Sequence, residues 1–311
     1  MSQKEINQQE WSNPSNWRWS LYRSEKDSRL WVPKQVSAMG WTLNLSHRRA
    51  NLWLGLFGIV PCLVVLLMAI IGGWRTLSTS PGPWLWLAGS LALTCVVATL
   101  NPLWRHGLSQ AFPAAAFGVI AAAVGFAIQG LLNRPVISIV GVANLTWRTH
   151  LYLALAGAIA QTTGKCLLVL AVWATLRPTN LTAKVRLGLM VGLGFTVFEI
   201  LLIWLNAALA GSPVTHWWLG ACERGLISSL FHIYSTGLLA LGLATRRYRL
   251  FVFVIAVHYL TDWLAGANAS LLHLSDIQLE LAFVPPVVAI WLVFLAMASK
   301  TRRESSLAAS A

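Results

Sequence analysis

Leu187-Gly-Leu-Met-Val-Gly-Leu-Gly-Phe-Thr-Val-Phe-Glu199-Ile-Leu-Leu-Ile-Trp-Leu-Asn206-Ala-Ala-Leu209 carries a single charged side chain, Glu199, in an otherwise apolar run. A helix rises 1.5 Å per residue, so about 20 such residues cross a hydrocarbon core of roughly 30 Å. Runs of the same kind recur on either side. They predict eight membrane-spanning helices at about 51–73, 84–104, 112–132, 150–176, 187–209, 217–243, 249–267 and 279–298. Composition agrees: 57% hydrophobic residues, 11% charged residues and a mean hydropathy of +0.64 exclude a soluble globular domain. The predicted fold is an all-α, polytopic transmembrane helical bundle. Residues 1–50 form a cytoplasmic or interfacial segment, 51–299 the membrane domain with its core at 150–267, and 300–311 a cytoplasmic tail.

Twenty-three Lys and Arg against ten Asp and Glu would suit a nucleic-acid partner, but most of the basic residues sit in short loops beside apolar runs, the positive-inside pattern. Nucleic acid is therefore excluded as a partner, and the lipid bilayer takes its place. One side collects the amino-terminal segment, Arg105, Arg177, Lys184, Arg186, Arg246, Arg247, Arg249, Lys300, Arg302 and Arg303. The other holds Arg75, Arg134 and Arg148, and its loops at 211–216 and 266–277 carry no Lys or Arg. Both termini are predicted cytoplasmic, in a multi-pass plasma-membrane protein. Cys62, Cys95, Cys166 and Cys222 all fall in predicted spans without C-x-x-C spacing, which reads as small core residues rather than a disulfide or zinc framework. The polar, Trp-rich start has no secretory leader pattern.

Within residues 1–50, the start through Asn16 is rich in Gln, Asn, Ser and Glu and reads as a flexible tail. Trp17 to Tyr22 and Leu30 to Lys34 flank a polar turn and predict a short hairpin or pair of strands. Tryptophan beside Lys and Arg suits the headgroup layer. The patch Val136 to Asn144, behind Pro135, is apolar but too short to span, so a re-entrant or interfacial piece is expected.

Function is carried by the ionisable residues inside the spans. An unpartnered charge near the bilayer centre costs roughly 2.5–3.5 kcal/mol on insertion scales, so Lys165, Glu199, Glu223, Arg224 and Asp262 are expected to meet one another, together with His232 and His258. Residues four apart share a helical face, so His258 and Asp262 point together; Phe195, Glu199 and Asn206 lie on one stripe, and so do Gln161 and Lys165. Glu223 falls about half a turn out of phase with His232 unless Gly225 distorts the helix, and with Arg224 it is expected at the outer mouth or as a structural pair. Gly192 and Gly194 read as close-packing positions.

The order Gly192-x-Gly194-Phe195-x-x-x-Glu199, Glu223-Arg224, His232, then His258-x-x-x-Asp262 resembles the YhfC family of bacterial membrane proteins, grouped with CAAX prenyl endopeptidases, PrsW proteases and the Aph subunit of gamma-secretase. The resemblance covers the last five spans. It implies an intramembrane glutamate- or metal-dependent peptidase fold that holds a water for attack on a peptide bond of a membrane-protein or peptide substrate. Asp27-x-Arg29-x-x-Val-Pro33-Lys34 followed by Gly40-Trp-x-x-Asn44 resembles a small bacterial domain of unknown function found next to transmembrane helices.

One departure bears on chemistry. Members of the family carry paired glutamates before a basic residue on the first core helix, and here that stretch is Gln161-Thr162-Thr163-Gly164-Lys165. Neither glutamine nor threonine takes a proton from water at neutral pH. Either Glu199 has assumed that role, or the chain has kept the scaffold and lost proteolysis. The candidate catalytic residues are Glu199, His232, His258 and Asp262, supported by Lys165, Gln161, Asn206, Glu223 and Arg224. Two imidazoles and one or two carboxylates suffice for zinc with an open water position, so a divalent metal on His232 and His258 is one expectation. A metal-free site with Glu199 as base and His232, His258 or Asn206 at the oxyanion is the other. The bland reading of Glu199 is a buried salt bridge to Lys165. A non-catalytic subunit of the same fold and a proton-coupled transporter are the rival functions, since buried acid and histidine chains also relay protons.

Overall fold

Ser2 accepts from the backbone of Glu5 at 3.3 Å while the Glu5 carboxylate reaches back to the Ser2 amide at 2.7 Å. This capping box opens helix α1, Gln3–Ser12, in the computed structural model, where the sequence reading expected a flexible tail. The structure describes residues 1–18, 20–99, 108–141, 144–210 and 217–310. Tertiary hydrogen bonds explain the order of α1: Trp11 Nε1 donates to Pro33 O at 2.7 Å, and Glu10 Oε2 accepts from Ser24 and Asn16.

Two short antiparallel ladders follow. Strand β1, Trp17–Arg18, pairs with β2, Leu21–Tyr22, and β3, Trp31–Pro33, pairs with β4, Trp41–Leu43. The motif residues Asp27, Arg29 and Asn44 tie these ladders together. Buried Asp27 takes the Arg29 guanidinium at 2.6 Å and the Tyr22 hydroxyl at 2.9 Å, and Asn44 donates to the carbonyls of Ser24 and Asp27. Burial alone would raise the Asp27 pKa, yet the Arg29 and Tyr22 hydrogen bonds hold it below the ordinary aspartate value. Burial and the bond to Asp27 push the Tyr22 phenol up. The piece docks on the bundle through Arg23, which donates to the carbonyl of Thr175, and through Trp31 against Trp53 and Phe57 at 5.6 and 6.2 Å.

The membrane domain comprises α2 (Ala50–Thr79), α3 (Gly82–Thr99), α4 (Leu108–Val140), α5 (Trp147–Leu176), α6 (Leu181–Leu209), α7 (Trp217–Cys222), α8 (Ser229–Thr245), α9 (Arg249–Ala267) and α10 (Asp276–Ser310). A π turn, Glu223–Ser228, fuses α7 to α8. Counting that fused rod once, eight helices among the described residues are long and apolar enough to cross a membrane. The span count agrees with the sequence reading; several boundaries do not. Residues 136–140 continue α4 through Pro135 instead of forming a separate re-entrant piece, since prolines are tolerated within membrane helices. Residues 300–310, expected as a tail, extend α10. Arg105, the end of the second predicted span and the loop 211–216 lie outside the described residues.

Helix α4 packs against α2, α5 and α6, and α8 sits between α6 and the outer pair α9 and α10. Small residues set these approaches, as expected where lipid is as apolar as leucine. A Cβ on Gly194 of α6 would fall 1.8 Å from the carbonyl oxygen of Ala115 on α4, and one on Gly192 would fall 2.5 Å from that of His232 on α8. Gly192 thus brings the backbone carrying His232 against the helix carrying Glu199.

Candidate functional site

Four helices deliver one connected set of polar side chains to the bundle interior. His232 lies thirteen residues before the end of α8, about 20 Å of helix. Its Nε2 stands 2.9 Å from Glu199 Oε2 on α6, and its Nδ1 stands 2.6 Å from Lys165 Nζ on α5. Ser228 Oγ, the last residue of the π turn, donates to the same Glu199 oxygen at 2.8 Å. With the His232 proton on Nε2, Lys165 donates to His232, His232 donates to Glu199, and every bond in the chain is satisfied. One positive and one negative charge are then separated by a neutral imidazole.

All three members are withdrawn from solvent, and Lys165 is fully buried. Its ammonium lies over the rings of Phe195 at 4.4 Å and Phe231 at 5.4 Å, so cation–π contacts supplement the single hydrogen bond. Phe195, one turn before Glu199, also lies against His232 at 4.8 Å. The direct Lys165–Glu199 salt bridge considered from sequence is replaced by this relay, with His232 inserted between the charges.

The relay borders a cavity of about 110 Å³, room for a few waters. His258 and Asp262 line the same cavity and share the predicted face of α9. His258 Nε2 stands 3.7 Å from Asp262 Oδ2, too long for a direct hydrogen bond and a spacing that a water can bridge. The Asp262 side chain is 31% exposed and that of Glu199 9%, so of these two carboxylates Asp262 is the more accessible. Gly157 on α5 makes room there, since a Cβ would meet Gln129 Nε2 at 2.8 Å and Asp262 Oδ2 at 3.0 Å.

Glu223 and Arg224 line the same cavity and pair with each other at 2.6 Å. In a regular helix Glu223 would have been half a turn away from His232. The π turn shifts its phase, and Gly225 permits the turn to press on α3, where a Cβ would come 2.5 Å from Ser90 O. A cross-helix hydroxyl–hydroxyl bond between Ser229 and Thr94 at 2.8 Å holds the distortion in place.

Two supporting residues go elsewhere. Gln161 Nε2 donates to Gln129 Oε1 at 3.1 Å outside the cavity lining, and Asn206 is exposed beyond it. Asn206 sits seven residues from Glu199, on nearly the same face but about 10 Å further along the axis, and that rise carries it out of the site. Ser228, Phe231 and Thr261 join the lining without having been singled out. Ser228 precedes His232 by four residues, the spacing that already placed His258 with Asp262.

A shared metal does not fit this arrangement. The two imidazole centroids are 5.8 Å apart, near enough to invite one, but both ring nitrogens of His232 already face Glu199 and Lys165. An ammonium 2.6 Å from the would-be ligand atom opposes a cation there. Of these two histidines, His258 keeps its Nδ1 buried without a hydrogen-bond partner.

The chain matches no family model, no curated protein and no solved structure.

Proposed function

We propose that this integral membrane protein is an intramembrane hydrolase of the YhfC type, cleaving a peptide bond of a membrane-embedded substrate without a bound metal. The observation that carries the reading is the Lys165–His232–Glu199–Ser228 relay opening onto a polar cavity that also holds His258, Asp262 and Arg224. In this mechanism Asp262 takes a proton from a cavity water as its oxygen adds to the substrate carbonyl carbon. The Arg224 guanidinium, balanced by Glu223, stabilises the resulting oxyanion. As the carbon–nitrogen bond breaks, the proton held by Asp262 passes to the leaving amine. Glu199, whose Oε2 accepts from both His232 and Ser228, is a positioning residue that locks the His232 tautomer. The even number of candidate crossings and the positive-inside distribution of Lys and Arg support a plasma-membrane protein with both termini in the cytoplasm.

The test is a comparison of new amino termini in the membrane proteome of cells making the wild-type protein, Asp262→Asn or Arg224→Gln. Cleavage products that vanish in both variants support the reading. Products that are absent from all three samples overturn it in favour of a scaffold subunit, and proton flux in liposomes that depends on Asp262 overturns it in favour of a transporter.

A further inference from the structure

A second cavity, separate from the polar site, lies where the amino-terminal β piece meets α2, α4, α5 and α6. Its volume is about 1000 Å³, at the upper end of what organic ligands occupy. The two ends differ in chemistry. At the mouth stand Lys34, beside β3, and Lys184, in the first turn of α6, with Arg18 of β1 on the same rim; the lining contains no Asp or Glu. Lys184 is held over the Trp173 ring at 5.6 Å, which fixes its ammonium near the rim. Deeper, the walls are Phe57, Phe117 and Leu170. Leu167, also on the wall, is nine residues before the end of α5, so the cleft runs roughly 14 Å down the bundle from its mouth.

This polarity matches one class of ligand. Cations gathered at a membrane interface above an apolar shaft attract a headgroup phosphate, and basic pockets between membrane helices bind anionic lipid headgroups by the same logic. A free inorganic anion would leave the shaft unused, and a neutral lipid would leave the lysines without a partner. The walls are also wet or lipid-facing as they stand: Leu167 and Phe57 are 51% and 47% exposed. We propose that this cleft binds one anionic phospholipid, its phosphate on Lys34 and Lys184 and one acyl chain between Phe57, Phe117 and Leu170, thereby fastening the amino-terminal piece to the bundle. The inference is independent of the peptidase reading.

The experiment uses the full chain in neutral-detergent micelles, with melting followed as phosphatidylglycerol, phosphatidylcholine or inorganic phosphate is added, and native mass spectrometry counting retained lipid. Phosphatidylglycerol should raise the melting temperature and be retained at one molecule per chain, while phosphatidylcholine and phosphate leave it unchanged. Lys34→Gln combined with Lys184→Gln should weaken phosphatidylglycerol binding at least about tenfold. Leu170→Trp, which fills the shaft and keeps both lysines, should abolish it; melting in phosphatidylcholine reports that each variant is folded. Equal shifts with both lipids, a full shift with phosphate alone, or unchanged affinity in Leu170→Trp would each overturn the proposal.

Discussion

Removing the Lys165 ammonium leaves the Glu199 carboxylate as an uncompensated charge in the bundle interior. Lys165→Met keeps much of the side-chain volume against Phe195 and Phe231, so the penalty is chiefly electrostatic. Breaking a buried ion pair by deleting one partner costs about 3–5 kcal/mol, and Glu199→Gln should cost a similar amount by stranding Lys165. In the double variant neither charge remains, and its penalty should fall short of the sum by more than about 2 kcal/mol. An ordinary interhelical hydrogen bond in a membrane couples by only about 0.6 kcal/mol and at most about 1.7. The two cases are therefore separable by unfolding all four proteins in mixed dodecyl sulfate micelles, with intrinsic tryptophan fluorescence as the probe. A double-variant penalty equal to the sum within about 0.5 kcal/mol would refute a charge-compensated relay through His232.

Other consequences are open to measurement. Gly194→Ala places a methyl 1.8 Å from a backbone oxygen and should destabilise by about 2 kcal/mol or more, whereas Gly130→Ala on α4, with nothing within 4 Å of its Cβ, should be neutral or stabilise by up to about 1 kcal/mol; micelle unfolding of the pair checks both. The folded-state pKa of Asp27 is held below its unfolded value, so its contribution is complete above the ordinary aspartate pKa near 3.9 and is lost as pH falls through the lower, folded value. Acid should accordingly loosen the amino-terminal piece, read as protease sensitivity, and Asp27→Asn should remove most of that pH dependence. Because both His232 ring nitrogens are engaged, treatment with a strong chelator should leave the melting temperature unchanged, and a drop of several degrees would count against the metal-free site.

The class of the protein was legible in residue order alone. Twenty-residue apolar runs have one stable solution in a bilayer, since only a helix satisfies every backbone group within itself, and the eight runs therefore became eight rods. The cost of burying charge likewise made it predictable that Glu199, His232, His258 and Asp262 would face inward, and the four-residue step correctly put His258 beside Asp262. Local signals were underused once: Ser2-x-x-Glu5 is a capping box that the polar composition around it obscured.

What tertiary structure decided was rotation and phase. A 3.6-residue period relates residues only while the helix stays regular, and the π turn at Glu223–Ser228 inserts enough extra arc to swing Glu223 and Arg224 onto the face of His232. Which rods touch, and how closely, depends on contacts such as Gly192 against His232 and Gly194 against Ala115, made between residues far apart in the chain. Those contacts sent Lys165 to His232 rather than to Glu199, turned Gln161 toward Gln129 and left Asn206 at the edge. Hydropathy along a chain determines that segments must enter the membrane; the packing between those segments determines which of their polar atoms meet.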